Sequence, residues 1–370
     1  MTLESLRHLV QTHPLIDNHA HNILNRQSAC NYAKYPFEQI TSEAHGAALQ
    51  NAPSTLPLLR AANQLAELYG CSPDWNAVKA ARDQWVQRDY DDLVRRCLDG
   101  THALLLDDLL SEEDVEPFDW HDQFASSETK RIVRIETVAE GILSTTVSKS
   151  GASAQDQLEQ LREAFSKKIN QAIADPAVVG FKSVICYRTG LNVVQPESNA
   201  VLDALTGTLG QQSGSFRVEN KPLNDWLVLQ TLDLLKAAKS SANVSKPLQL
   251  HTGLGDADLS LVLANPAYLQ PVIAQYPEVD FVLLHSSYPY TREAGYLACV
   301  YNNAYLDLGE VFPMVSRDAQ ESIIRESMDI VPSTRLLWST DGHYFPETFW
   351  LANKQFRQAL EKVGFSFVVL

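Results

Sequence analysis

The chain contains no run of about 18 apolar residues, the length a helix needs to cross a bilayer, so no membrane span is expected. Cysteine is sparse. Cys30, Cys71, Cys97, Cys186 and Cys299 are widely scattered, odd in number, and form no C-x-x-C pair. This argues against a disulfide framework or a zinc knuckle and fits reduced thiols in a cytoplasmic protein. The stretch Met1–Val10 carries Glu4 and Arg7 and lacks the apolar core of a signal peptide. Basic residues are in deficit, 30 Lys+Arg against 45 Asp+Glu, for a formal net charge of −15. Nucleic acids and anionic membranes are therefore not expected partners, since either would be repelled at long range. A small-molecule substrate meets the local field instead and is the expected partner; homo-oligomerisation stays open. Gly253-Leu-Gly255-Asp256 lacks the G-x-G-x-x-G spacing of a dinucleotide site, and neither a P-loop nor G-x-S-x-G occurs.

What is present is globular: 370 residues, 45% hydrophobic and 20% charged. Eight short apolar runs each end near a polar or ionisable residue. They are Leu15–His19, His102–Asp107, Arg131–Glu136, Val178–Ile185, Pro247–His251, Val279–His285, Asn303–Leu308 and Arg335–Asp341. Consecutive apolar positions of this length predict strands buried on both faces, the mark of a parallel sheet. Helix-period segments lie between them, clearest at Ala154–Ala174 and Leu223–Ala242, with others at Pro266–Gln275, Thr291–Tyr301, Ser316–Asp329 and Glu347–Val363. Eightfold alternation of strand and helix predicts an α/β fold, a (β/α)8 TIM barrel. About 80 residues separate the first two strands. The helix-like stretches Leu56–Leu68 and Trp75–Tyr90 mark residues 25–96 as a helical insertion after the first strand, either a lid or a packing element. Ser144–Ala154 reads as a mobile loop. In the acid-rich run Asp107–Asp122 only Asp107, at a strand end, has a claim on a site.

The sharpest local signal is His19-Ala20-His21. Alternate strand residues point the same way, so two imidazoles at i and i+2 can share one ion. His251, His285 and Asp341 also end predicted strands, where barrel chemistry is found. Imidazoles with a carboxylate form a set suited to zinc, with manganese or iron(II) as alternatives.

The order His19-x-His21, Lys182, His251, His285, Asp341 resembles the amidohydrolase superfamily, and its amidohydrolase-2 group in particular. Pro247–Asp258, Leu284–Leu297, Asp307–Phe312 and Leu337–Glu347 are similar to FluG- and nodulin-like amidohydrolase domains. In plants and fungi these are often fused to a glutamine-synthetase-like domain. The resemblance covers nearly the whole chain and implies one barrel domain over residues 1–370, with no synthetase domain. It further implies that His19, His21, His251 and Asp341 ligate a divalent metal. Asp341 would also take a proton from the attacking water. His285 would be catalytic beside one ion or a ligand of a second, and Lys182 a ligand only if carboxylated; one ion is favoured over two. Arg188, Tyr187, Arg292, Tyr288 and His343 are second-rank candidates for substrate binding, with Glu136 and Glu310 near strand ends; for each, a salt bridge or hydrogen bond within the rim is the competing reading.

The expected function is metal-dependent hydrolysis of an amide or related C–N bond in a small acidic compound. The synthetase association points to a γ-glutamyl type. A non-oxidative decarboxylase of the same group is the alternative, and a catalytically inactive signalling barrel the second.

Overall fold

The computed structural model describes residues 2–110, 113–147, 152–210 and 216–368. Of the expected loop Ser144–Ala154, residues 148–151 lie outside the described residues, as does Glu112 of the acid-rich run. Eight strands are hydrogen-bonded in chain order in one sheet. They are β1 Leu15–Ala20, β2 Thr101–Asp107, β3 Lys130–Arg134, β4 Val178–Ser183, β5 Leu248–Leu250, β6 Phe281–Leu283, β7 Ala304–Asp307 and β8 Leu336–Leu337. Each overlaps an apolar run read from the sequence, and the registered pairings are parallel. The fold is the (β/α)8 barrel. Several expected strand ends shift. Glu136 lies in the first turn of the helix Ile135–Ile142, because β3 stops at Arg134. His251 and His285 follow strands that end one and two residues earlier, at Leu250 and Leu283.

The chain forms two compact units. The first comprises residues 1–130, 255–257 and 307–370 and carries β1, β2 and β8. Within it β1 hydrogen-bonds the segment after β8, Asn18 N–H donating to the Trp338 carbonyl at 3.0 Å. The insertion belongs to this unit, and its helices are written in capping residues. Thr55 caps Leu56–Tyr69, Asp74 caps Trp75–Arg88, and Asp89 caps Tyr90–Cys97, each through a side-chain oxygen accepting a first-turn N–H. Gly70, left-handed at φ +67°, ends the first of them. Ala61, Leu65 and Val78 of the insertion share a core with Leu24, Phe37, Phe345 and Leu351. The insertion is thus packed against the segment after β1 and the helix Pro346–Val368.

The second unit comprises residues 131–254 and 258–306. Its long helices match the sequence pattern: Ala154–Ala174 is capped by Ser153, and Lys221–Ala242 has Pro222 in its first turn. Leu161, Phe165 and Ile169 of the former are wholly buried. The helix Ser198–Leu209 has no counterpart in the sequence reading, since its apolar stripe is interrupted by Thr and Gly.

One buried histidine of the first unit sets a pH dependence. His121 Nδ1 lies 3.1 Å from the carbonyls of Pro117 and Phe118, while Nε2 accepts the Ile23 N–H at 3.2 Å. A carbonyl only accepts, so Nδ1 carries the proton and the ring is neutral. Burial pulls its pKa down to about 4, against the weaker opposing pull of those carbonyls. The unfolded chain takes up this proton near pH 6.5 and the folded chain only near 4. The contribution to stability is therefore complete above pH 6.5 and lost as pH falls through that window, about 2 kcal/mol between pH 7 and pH 5. Urea unfolding of the wild type should lose that much more stability over the interval than His121→Gln does. Parallel pH profiles for the two proteins would contradict it.

Candidate metal centre

The first unit assembles a three-ligand cluster from two segments far apart in sequence. Past Ala20 the chain stays extended and pairs with residues 341–344. Asp341 N–H donates to the His19 carbonyl (3.0 Å), His21 N–H to Gly342 (2.7 Å), Tyr344 N–H to Asn22 (3.2 Å) and Leu24 N–H to Tyr344 (2.8 Å). The His19 and His21 rings meet edge-to-face with centroids 5.0 Å apart. Both Nε2 atoms lie 3.3 Å from Asp341 Oδ1, and all three side chains are buried or nearly so. Ligand bonds of about 2.0–2.1 Å in a tetrahedron put neighbouring donors about 3.3 Å apart, so the spacing fits one shared zinc-sized ion. The tautomer fits as well. His21 Nδ1 bonds the Asp107 carbonyl at 2.9 Å, which puts the proton there and leaves the Nε2 lone pair for a metal. Asp107 thus meets the centre through its backbone carbonyl.

Beneath these ligands lies a polar floor that sequence reading passed over. Asp17 accepts Thr340 N–H (2.9 Å) and Oγ1–H (2.5 Å). Asp307 accepts from Asn18 Nδ2 (2.7 Å), Ser339 Oγ (2.9 Å) and Gly309 N–H (2.9 Å). Burial pushes the Asp17 carboxyl up to about 7, with Asp307 adding to the rise and the Thr340 donors opposing it. Spacing was the available signal, since Asp17 stands two residues before His19 on β1. His343 bonds the Asp341 carbonyl through Nδ1 (3.0 Å) and sits 6.4 Å from the His21 ring. Glu43, from the insertion, was also missed. Burial raises its pKa, His343 lowers it, and Asp341 and Asp256 raise it further, which places Glu43 among those groups.

The second unit holds the remaining candidates. His251 follows β5, and its Nε2 bonds the Leu254 carbonyl at 2.7 Å, leaving Nδ1 as the basic nitrogen. Its ring lies 4.4 Å from Tyr187 and 4.3 Å from His285. Lys182 is buried on β4. Glu136 Oε1 accepts Ser183 Oγ–H (2.6 Å) and Val184 N–H (3.1 Å), so that carboxyl secures the chain just after Lys182. Arg188 pairs with Glu140 at 3.3 Å, and burial lowers its pKa. Arg292 is exposed, lining a surface hollow of about 340 Å³ with Gln270, Glu293 and Tyr296, and Tyr288 is half-buried.

Backbone strain marks both units. Asp341 (φ +52°) and Glu310 (φ +59°) in the first, and His285, Ser286 and Ser287 (φ +67°, +52° and +47°) in the second, occupy the left-handed region. Such conformations cost on the order of 1 kcal/mol or more each for a non-glycine residue and concentrate at functional sites.

Comparison with known proteins shows what a barrel with this cluster is similar to. The amidohydrolase family profile matches residues 215–363. Over those residues the chain resembles that family. It is 67% identical, over 99% of its own length, to protein fluG of Emericella nidulans, and it spans 44% of that relative. Among solved structures it is similar to a candidate metal-dependent hydrolase of Lactobacillus casei ATCC 334, with TM-score 0.80, 27% identity and coverage of 96% of this chain and 89% of the other. A uronate isomerase of Bacillus halodurans shares the fold at TM-score 0.62 and 12% identity, over 99% of this chain and 89% of the other.

Gly253, two residues past His251, has φ +77°, and a Cβ there would stand 2.4 Å from Ser287 C and Tyr288 O. Gly253→Ala must therefore move the backbone that follows His285. A loss of about 2 kcal/mol or more in urea unfolding is expected, from the left-handed penalty plus the clash. Wild-type stability in that variant would show that the approach is not close.

Proposed function

We propose that the protein is a metal-dependent hydrolase of an amide or related C–N bond in a small acidic compound. The observation that carries this reading is the cluster of His19 and His21 Nε2 at 3.3 Å from one Asp341 oxygen. A divalent ion held there, zinc in the first instance, would act as a Lewis acid and bring the pKa of water at the site from about 16 to about 7. Asp341 accepts the proton of the attacking water and returns it to the departing amine. The left-handed backbone at Asp341 is tolerated because aspartate and asparagine adopt it more readily than other residues. His251 is read as a further ligand and His285 as the group that polarises the substrate. Their positions after β5 and β6, parallel to those of the ligands on β1, support this. Lys182, unmodified, anchors the substrate, and one ion is favoured over two. Tyr187, Arg188, Tyr288, Arg292 and His343 remain candidates for substrate binding. A γ-glutamyl-type substrate is suggested by the likeness to FluG, and unpaired thiols on all five cysteines suit the cytoplasm.

Asparagine keeps both the shape and the left-handed backbone of Asp341, so Asp341→Asn removes the anionic ligand and proton acceptor with little change to the backbone. Hydrolysis of a panel of γ-glutamyl amides by zinc-loaded protein should fall by at least about two orders of magnitude in this variant. Equal turnover by both proteins would remove Asp341 from the chemistry. Carbon dioxide release from an unsaturated carboxylic acid, without hydrolysis of any amide, would transfer the reading to a decarboxylase. Elemental analysis of gently purified His285→Ala should show unchanged metal, at about one ion per chain, with activity reduced by a similar factor. A fall from two ions towards one would make His285 a ligand.

A further inference from the structure

The first unit buries one guanidinium completely, and its partners lie just beyond the ligand-bearing segments. Arg82, on the helix Trp75–Arg88 of the insertion, donates Nε–H to Glu347 Oε1 at 2.6 Å, and neither side chain has any exposed area. Its Nη1 donates to the Ala29 carbonyl at 2.7 Å and to Tyr32 Oη at 3.1 Å. The rings of Phe37 and Phe345 hold the guanidinium at 4.9 and 5.1 Å. Tyr69, at the end of the preceding helix, also donates its hydroxyl to Glu347.

Stability alone explains this arrangement poorly. A buried ion pair loses most of its Coulombic gain to desolvation, and a well-packed apolar pair is often as stable or more so. The geometry offers a better reason. Ala29 comes eight residues after His21, and Glu347 six after Asp341. The ladder that sets His19 and His21 against Asp341 ends at Leu24 and Tyr344, because Asn25 N–H turns away to the Asp114 carbonyl at 2.7 Å. Beyond that point side-chain packing replaces the backbone ladder, with the Tyr35 and Tyr344 rings 4.8 Å apart, and Arg82 reaches both segments. A planar fork with several donors in fixed directions can set such a distance where a single ammonium could not.

We propose that Arg82, acting through Glu347 and the Ala29 carbonyl, is a positioning residue for the His19–His21–Asp341 centre and thereby sets its metal affinity. The insertion then acts as a clamp on the ligand-bearing segments. This rests on the metal-centre reading above.

The test measures zinc affinity by chelator competition, and urea stability of the metal-free full chain, for wild type and three variants. Arg82→Met/Glu347→Leu removes both charges and should fold with near wild-type stability while binding zinc about tenfold or more weakly, the scale of lost support to a metal ligand. Tyr69→Phe, which removes only one donor to Glu347, should weaken zinc binding by a smaller factor. Leu161→Ala, in the core of the other unit, should lose stability with zinc affinity unchanged. Wild-type affinity in a folded Arg82→Met/Glu347→Leu protein overturns the proposal, as does affinity that merely tracks stability through Leu161→Ala. Should the double variant not fold, unchanged zinc affinity in Tyr69→Phe overturns it. Zinc binding absent from the wild type itself defeats the metal-centre reading, and this proposal with it, without reference to any variant.

Discussion

The candidate centre depends on a short parallel ladder between the end of β1 and residues 341–344. Two histidines on one strand face supply only part of a ligand set, since adjacent strand positions cannot both point inward. The remaining ligand must come from a neighbouring segment in a fixed register. Here Asp341 N–H bonds the carbonyl of His19, and the next rung bonds His21 N–H to Gly342. These rungs bring one carboxylate oxygen equally close to both imidazoles. A slip of one residue would replace Asp341 with Thr340 or Gly342 and leave no ligand there.

A ladder of that kind tolerates little movement, and the polar floor beneath it limits movement. Asp17 holds both donors of Thr340, immediately before Asp341, and Thr340 in turn accepts the Gly342 N–H at 2.9 Å. Asp307 gathers Asn18, Ser339 and Gly309. Burying two carboxyls in one unit is costly, and the rise of Asp17 to about 7 is the sign of that cost. Hydrogen bonds to both oxygens of each offset part of it. The result is a directional network where an apolar floor would permit several packings.

Much of this was legible from the residues. Consecutive apolar positions marked the segments that hold the eight strands, because a parallel sheet covers both faces of most of its strands. His19, His21 and Asp341 were legible because each stands at or just past a strand end. The helix-like stretches Leu56–Leu68 and Trp75–Tyr90 made the insertion readable as helices, and Thr55, Asp74 and Asp89 cap them in the structure. Arg82 and Glu347 were not legible, since a charged residue on an amphipathic helix reads as solvent-facing unless its partner 265 positions away is known. Asp17 and Asp307 were hidden for a similar reason, as the hydroxyl and amide donors that make their burial tolerable come from other segments. Glu136 was read as a candidate for chemistry because it is acidic near a strand end; its role in the fold is to hold Ser183 and Val184. The left-handed turns at His285 and Asp341 had no signal at all, because neither residue is glycine.

Those turns bear on whether the barrel is catalytic or an inert scaffold. A left-handed aspartate is among the less costly exceptions to the glycine preference, but three successive non-glycine residues at His285–Ser287 are costly together. Local bonds stabilise the second turn: Thr252 Oγ1 donates to the Leu284 carbonyl at 2.7 Å and lies 2.6 Å from Ser287 Oγ. Strain held in place by dedicated hydrogen bonds aims particular side chains, and the two it aims here are an imidazole and a carboxylate. A scaffold that only presented a surface would gain nothing from directing buried His285 and nearly buried Asp341. The strained backbone and the 3.3 Å ligand cluster are independent features, one of conformation and one of side-chain chemistry, and they coincide at Asp341. That coincidence is a further support for the hydrolase proposed above over a signalling barrel.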